Sequence, residues 1–551
     1  MSKYIVAIAL TALLCATVII SSVGDTRIAD AAMEKDIAAV RTLLKQGVDV
    51  NQSQGDGMTA LHWAALNGDA EIAKVLIQAG ANLRATTRLG SYTPLFMAAR
   101  AGFAPIIDIL VKAGANVRTP AQGGLTPLMM AASSSSVDAL KLLIEAGAEV
   151  NATETERGQT AMSFAAAFNQ ADAIKLLLQH GADINRKSKP VKPAVRPNQG
   201  GQGQQQQQGQ RGQQAAVQPP PVPVPAQQQG QQQQQGQRGQ ANDSTRGGGN
   251  PRGEFTPLMY AARQGNLKAV RALVDGGARL DEVSGDHSTA LLLAAINGSF
   301  DVAKFLVERG ADVMIASVEK ATPLFAVVNT QWAPKTDTPQ PSTKYEQTQY
   351  LDLMKMMLDR GANPNARLEK DLWYTQNKES TSSARITPFW RCANVGDIDC
   401  MRLLMSRGAD PNISNVDGIT PLLVAAGAGF HGNNELTTSS GRLTAVQYLV
   451  EELHADVNVA DTAEGAPRND TMNTARAAGG FSALHNAAAR GDNAMILYLI
   501  SKGAKVDAVS RNGTTVADMA NGPRQRIQPY QNTVALLEML GSANSHRCVS
   551  C

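Results

Sequence analysis

The residues with the clearest chemical potential are two cysteines at the end of the chain, Cys548 and Cys551. A C-x-x-C pair followed by His is the attachment signature of c-type haem, in which the thiols bond the vinyl groups and the His ligates iron. The sequence stops where that His belongs, so the strict interpretation is a disulfide or a free dithiol. The alternative is that the chain is the docking portion of an exported haem c redox protein truncated at Cys551. Zinc is disfavoured, because two thiolates make half a site and His546 alone does not complete it.

Other catalytic constellations are absent from the sequence. It has no Walker loop, no G-x-S-x-G elbow and no H-E-x-x-H, and each of these spacings is what its chemistry requires. The carboxylates are spread over turn and solvent positions. The sequence therefore predicts a protein that is not an enzyme, with no cofactor and no metal.

A repeated sequence motif indicates which secondary-structure elements must position any functional residue. Thr93-Pro94-Leu95-Phe96 recurs as Thr126-Pro127-Leu128-Met129, a step of 33 residues, and this period indicates a solenoid. The threonine is placed to cap a helix whose first residue is proline. Small residues Ala98 and Ala99 let a second helix approach, Gly102 ends the first helix, and Gly114 ends the second.

This pattern resembles the ankyrin repeat, whose signature is T-P-L-H-x-A. Further copies begin at Thr59, Thr160, Thr256, Thr289, Thr322, Thr387, Thr420, Ser482 and Thr515. The resemblance implies an all-α repeat fold, an ankyrin solenoid of about twelve helix-turn-helix units with short β-hairpin fingers. It also assigns His62 and His485 to the signature position, where a scaffold role is favoured over a catalytic one.

The period divides the chain into five segments. We expect a signal peptide over 1–24, repeats 1–5 over 25–187, an insertion over 188–253, repeats 6–12 over 254–540 and a tail over 541–551. The insertion is rich in Gln, Gly and Pro and contains no aromatic residue, so it is predicted to be a disordered loop. Closing so long a loop costs about 2 kcal/mol, against about 1.5 to 3 kcal/mol for each buried Leu or Ile. One continuous stack is thus favoured over two tethered arrays.

The amino-terminal sequence predicts an export signal. Lys3 supplies a positive charge, Tyr4 to Ile20 is apolar, and Ser22-Val23-Gly24 offers small residues at a cleavage site, as in secretory leaders. The expected location is therefore the periplasm or the exterior. The alternative is an uncleaved helix that anchors the chain to the membrane.

Export affects the interpretation of Cys392 and Cys400. The resemblance places Cys392 on the first helix and Cys400 on the second helix of one repeat, so the two could meet. Because disulfide geometry is narrow, buried thiols are favoured over a disulfide.

In ankyrin repeats the finger tips and the exposed side of the first helices contact the partner, so the resemblance predicts a protein-binding scaffold for a protein of unknown identity. Nucleic acid is disfavoured, because the basic insertion lacks aromatic residues for stacking, and a monomer is expected. Trp332, Trp373 and Tyr374 join the predicted contacts because they lie in polar insertions, where they anchor either the insertion or a partner. For Leu125, Phe255 and Phe481, packing against the adjacent finger is an equal alternative. The remaining predicted contacts are Leu89, Tyr92, Arg100, Arg157, Phe168, Arg263, His287, Ile419 and Arg490.

Overall fold

The computed structural model describes residues 25–191, 252–332, 343–370, 384–428, 439–462, 479–521 and 529–545. These residues form two compact units. The first unit contains the described residues up to 191 together with 252–261 and 266–279, and the second contains 262–265 and the described residues from 280 onward. Each unit is built from helix pairs, with almost no strand.

The helices alternate between an inner helix and the outer helix that comes next. Each inner helix follows a signature Thr or Ser, except the first described helix. The inner helices are α1 Arg27–Met33, α3 Ala60–Asn67, α5 Pro94–Ala101, α7 Pro127–Ser133, α9 Ala161–Ala167, α11 Pro257–Gln264, α13 Ala290–Ile296, α15 Pro323–Gln331, α17 Pro388–Val395, α19 Pro421–Ala425, α21 Ala483–Ala488 and α23 Val516–Ala520. The outer helices are α2 Ile37–Lys45, α4 Ala70–Gln78, α6 Ala104–Lys112, α8 Val137–Glu145, α10 Ala171–Gln179, α12 Leu267–Asp275, α14 Phe300–Glu308, α16 Tyr350–Asp359, α18 Ile398–Met405, α20 Ser439–Gln447, α22 Asn493–Ser501 and α24 Gln531–Met539. A π-helical turn, Tyr448–Glu452, extends α20.

The helix boundaries follow from local capping chemistry. Thr93 accepts a hydrogen bond from the Phe96 N–H, and Pro94 occupies the first turn, where a missing donor has no consequence. Gly102 then ends α5 with a left-handed φ of 76°. Most outer helices lack the threonine, and several of them, such as α18 with Asp397, use an aspartate cap instead.

Stacking of neighbouring pairs creates the core. Within the first unit, α3 packs against α1 and α5, and α5 packs against α7. The paired alanines of the inner helices, such as Ala98 and Ala99, are completely buried, so small side chains are what allow the close approach. The outer helices contribute larger residues to the same core, including Ile106, Ile107 and Leu110.

Hairpins connect each outer helix to the next inner helix. Consecutive hairpins are joined to each other by hydrogen bonds. In the first unit, the Asn151 side-chain amide donates to Gly181 O at 2.9 Å and its oxygen accepts from Asp183 N at 2.8 Å. Nearer the tips, Thr155 N donates to Gly123 O at 2.7 Å. Similar bonds recur within the second unit, where Val318 N donates to Asp286 O at 3.0 Å. The hairpins therefore form ladders along each unit.

The two flanks of the Gln-rich insertion meet within the first unit. Strand β1, Pro190–Val191, pairs antiparallel with β2, Arg252–Gly253, so four residues assigned to the insertion are ordered parts of a hairpin. The Asn266 side chain donates to the carbonyls of Ala166 and Ala167 at 3.0 and 2.8 Å. The outer helix after the insertion, α12, is thus packed on the helix pair before it, α9 and α10. Residues 192–251, for which disorder is predicted, lie outside the described residues.

One expectation about the second unit requires correction. Cys392 and Cys400 are joined in a disulfide with a Cα–Cα separation of 5.9 Å, where buried thiols are expected from the sequence. Pairing of α17 with α18 brings the two Cα atoms into the range that a disulfide spans.

Every helix among the described residues is too short or too polar to span a bilayer. The apolar run from Tyr4 to Ile20 lies outside the described residues.

Candidate functional site: the finger face

Several hairpins are closed by a buried polar side chain near the tip. In the first unit, Glu154 accepts hydrogen bonds from the N–H groups of Glu156, Arg157 and Gln159 at 2.7, 2.7 and 2.9 Å. In the second unit, Asp461 accepts from Gly480 N at 2.7 Å and Phe481 N at 3.2 Å. These carboxylates are engaged by the backbone, so they shape the tips and are not free for catalysis.

Residues of the inner helices lie against the hairpins that precede them. In the first unit, Trp63 Nε1 donates to Gln54 at 2.7 Å, and the ring of Tyr260 meets the edge of Phe255 with centroids 5.5 Å apart. Both residues stand four positions after the signature Thr. The equivalent residues of the intervening repeats are Met97, Met130 and Phe164.

We call this surface of the first unit the finger face. It comprises hairpin residues and the inner-helix residues four, seven or eight positions after the signature Thr. Trp63, Met130, Phe164 and Tyr260 are half-buried on it, whereas Met97 is buried. Its members are Leu89, Tyr92, Leu125, Phe255, Trp63, Leu66, Met97, Arg100, Met130, Ser133, Phe164, Ala167, Phe168 and Tyr260.

The predicted contact residues differ in exposure. Leu89 is 61% exposed and Phe168 57% exposed, and Arg157 and His287 are also exposed. Tyr92, Leu125, Phe255, Arg263, Trp332 and Arg490 are half-buried. Trp373 and Tyr374 lie outside the described residues.

Tyr92 is fixed by its own hairpin and helix. Its ring stacks on Phe96 with centroids 4.7 Å apart. A Cβ on Gly90, which has a φ of 81°, would collide with the Tyr92 ring. Glycine at position 90 is therefore what lets this aromatic ring fold back over the hairpin.

Ile419 and Phe481 are corrections to the predicted contact set. They are 1% and 2% exposed, and both pack inside the second unit. The Ile419 carbonyl accepts from Trp390 Nε1 at 2.8 Å, and Phe481 meets the His485 ring edge at 5.7 Å. For Phe481 the alternative of packing at the hairpin is the one observed.

Trp332 has an internal partner in the second unit. Its Nε1 donates to the Asp397 carboxylate at 2.8 Å, and the Tyr350 hydroxyl donates to the same oxygen at 2.6 Å. The Trp332 and Tyr350 rings meet edge to face at 6.2 Å. Burial and the Asp397 charge raise the pKa of Tyr350 above its usual range. Trp332 therefore links the end of α15 to α16 and to the cap of α18, and its role as a partner contact stays a prediction.

The signature histidines connect successive repeats. His485 Nδ1 lies 3.2 Å from Ser482 N and its Nε2 lies 3.3 Å from Thr514 O. A neutral ring fits both contacts, with Nδ1 accepting and Nε2 donating. Burial lowers the pKa of His485 to about 4, and burial also lowers the pKa of His62, which bridges Thr59 and Tyr92 O in the same way. Both rings serve as structural links.

Two exposed apolar residues at hairpin tips were missed by sequence reasoning. Val318 and Val416 are exposed at the tips of hairpins in the second unit. Each follows the residue that closes its hairpin, Ser317 or Asn415. Aligning the hairpins on these polar residues is the signal that could have found them.

No metal centre is assembled by the described residues. Among them, no group of three or more His, Cys, Asp or Glu side chains is placed to hold an ion. Cys548 and Cys551 lie outside the described residues, so their predicted disulfide or haem role stays a prediction.

Comparison with known families agrees with this geometry. The model described as "Ankyrin repeats (3 copies)" matches residues 28–121, 115–188 and 237–317. The model described as "Ankyrin repeat" matches 385–416 and 479–511. The chain belongs to the ankyrin-repeat family. Ankyrin repeats generally mediate protein–protein interaction, and the scaffold is typically non-enzymatic.

Curated relatives share the repeats over short stretches. Ankyrin repeat protein nuc-2 of Neurospora crassa is 24% identical over 195 residues, which is 35% of this chain and 15% of that protein. Palmitoyltransferase Hip14 of Drosophila melanogaster is 41% identical over 59 residues, 11% of this chain and 9% of that protein. The chain therefore spans only a small part of the length of these relatives.

Among solved structures, the human ASB11 ankyrin repeat domain is similar to this chain at 24% identity with a TM-score of 0.36. The match covers 51% of this chain and 96% of that domain.

Proposed function

We propose that this ankyrin-repeat protein is an exported, non-enzymatic scaffold of about twelve repeats that binds another protein through its finger face. The observation that carries the proposal is the exposure of Leu89 and Phe168, at 61% and 57%, beside half-buried Trp63, Met130 and Phe164. Large apolar side chains on a polar surface are typical of interaction sites.

Two ionisable side chains of the first unit support a non-enzymatic role. The hairpin carboxylate Glu154 is saturated by backbone N–H groups, and His62 is held between two repeats. Neither is arranged as a general base with a free proton-accepting site. Binding through apolar and aromatic contacts is what this arrangement can do.

The Cys392–Cys400 disulfide supports export. Disulfides persist in oxidising compartments and are rare in reducing ones. The leader-like segment from Lys3 to Gly24 would deliver the chain there. Mass spectrometry of protein from the native host tests this part, and a mature amino terminus near Asp25 is expected. An intact Met1 in the cytoplasmic fraction would refute export with cleavage.

Photo-crosslinking tests the binding surface. A crosslinking amino acid placed at Leu89 or Phe168 should capture a specific protein in cells. The control is Val137, which is also exposed but begins the outer helix α8. Equal capture at Val137, or no capture at Leu89 and Phe168, would contradict the finger face as the binding site.

A further inference from the structure

Arg100 is a buried cation on an otherwise uncharged part of the finger face. It lies in the last turn of α5 and is 9% exposed. Its Nη1 is buried and has no hydrogen-bond partner. Burial lowers the pKa of its guanidinium, and the neighbouring Tyr92 hydroxyl opposes that change.

The repeats on either side supply no counter-ion. The residues at the two equivalent positions, four and seven after the signature Thr, are Trp63 and Leu66 before Arg100 and Met130 and Ser133 after it. The Ser133 hydroxyl is already donated to Met130 O at 2.7 Å. Arg100 itself stands three residues after Met97, on the same side of the helix.

This arrangement is unfavourable for the free protein. A buried charge without a partner carries a desolvation penalty, and arginine stays protonated in proteins. A carboxylate would restore the missing interaction with a short, charge-assisted and bidentate hydrogen-bond geometry. Arginine is also among the residues that dominate the energy of protein interfaces.

We propose that Arg100 receives an aspartate or glutamate side chain of the bound protein, within a segment whose flanking residues are apolar. The partner carboxylate draws the long Arg100 side chain toward it and pairs with the guanidinium. Apolar residues of the same segment cover Leu89 on one side and Met130, Phe164 and Phe168 on the other. This inference rests on the proposed function and names the chemistry of its partner.

Peptide display gives a direct test with the full chain. A library of random peptides, fused at both ends so that no free carboxyl terminus is present, is selected against the purified protein. Selected peptides should contain Asp or Glu between apolar residues. Their synthetic versions should bind R100M at least tenfold more weakly than the wild type, and R41M, on the exposed outer helix α2, should bind as the wild type does.

A peptide variant makes the test independent of how R100M folds. Changing the selected Glu of the peptide to Gln should weaken its binding to the wild-type protein at least tenfold. The same change should weaken binding to R100M little further. The melting temperature of R100M should equal or exceed that of the wild type, because a buried unpaired charge is removed.

The two ways of failing are distinguishable. Peptides that lack acidic residues, or that bind R100M as tightly as the wild type, would overturn the role of Arg100, provided that Phe168→Ser still abolishes their binding. If Phe168→Ser leaves the affinity of the selected peptides unchanged, or if no peptide is selected at all, the finger face is not the binding site either.

Discussion

At the scale of single residues, buried polar side chains connect one repeat to the next. One carboxylate oxygen of Asp397 accepts hydrogen bonds from Trp332 Nε1 and the Tyr350 hydroxyl. The other oxygen caps α18 by accepting from Cys400 N at 3.0 Å. His485 joins the cap of α21 to the following hairpin. Such residues stabilise the stack through satisfied hydrogen bonds.

Acid should destabilise the second unit through His485. Its folded pKa of about 4 lies below the unfolded value, so the unfolded state binds the extra proton first. Stability is therefore complete above pH about 6.5 and is lost as pH falls toward 4, by at most about 3 kcal/mol. Urea unfolding at pH 7.5 and pH 5 should show a smaller pH effect in H485Q than in the wild type. H180Q, at an exposed histidine, is the control, and identical pH effects in H485Q and the wild type would refute the assignment.

Removing the Asp397 carboxylate should cost more than removing a neighbouring one. D397A leaves the Trp332 and Tyr350 donors without their acceptor and removes a helix cap, so a loss of about 2 to 4 kcal/mol is expected. D399A removes an exposed carboxylate in the same first turn and should cost less than about 1 kcal/mol. Urea unfolding followed by tryptophan fluorescence measures both. Equal losses would show that the contacts of Asp397 add nothing.

At the scale of elements, the α17–α18 pair carries a covalent link in addition to its packing. The disulfide closes a loop with a sequence separation of 8. Alkylation in denaturant without reductant should leave Cys392 and Cys400 unlabelled, and reduction should expose both to the reagent. The C392A/C400A variant should lose about 2 kcal/mol, because its unfolded chain is less constrained. Labelling of both cysteines before reduction would refute the bond.

At the scale of the molecule, the insertion interrupts the sequence without separating its flanks. Asn169 accepts from Ala269 N at 3.0 Å, and Asn185 accepts from Arg279 N at 3.0 Å. Together with the β1–β2 pair and Asn266, these contacts hold the first unit across the insertion. Loop closure over so many residues is a small cost beside one buried helix interface.

Cutting the insertion should therefore leave one complex. A protease site introduced after Gln210 should give two fragments that co-elute in gel filtration without denaturant. Combining the cut with N169G and N266A should lower the urea concentration at which they separate, whereas N51A, at a different hairpin, should not. If the two fragments separate in gel filtration without denaturant, the contacts across the insertion do not keep them associated.

The sequence by itself determined the repeats, the helix boundaries and the hairpin positions, because these depend on contacts between residues close in the chain. Thr93 caps the N–H of a residue three positions away, and Gly102 ends its own helix. Only the tertiary structure decided which finger residues are accessible. Phe168 is exposed and Phe481 is buried, although both are phenylalanines at predicted contact positions, because burial depends on the neighbouring repeats. The Trp332–Asp397 bond, the unpaired Arg100 and the Cys392–Cys400 disulfide likewise depend on how helices pack, which the pattern of a single repeat does not specify.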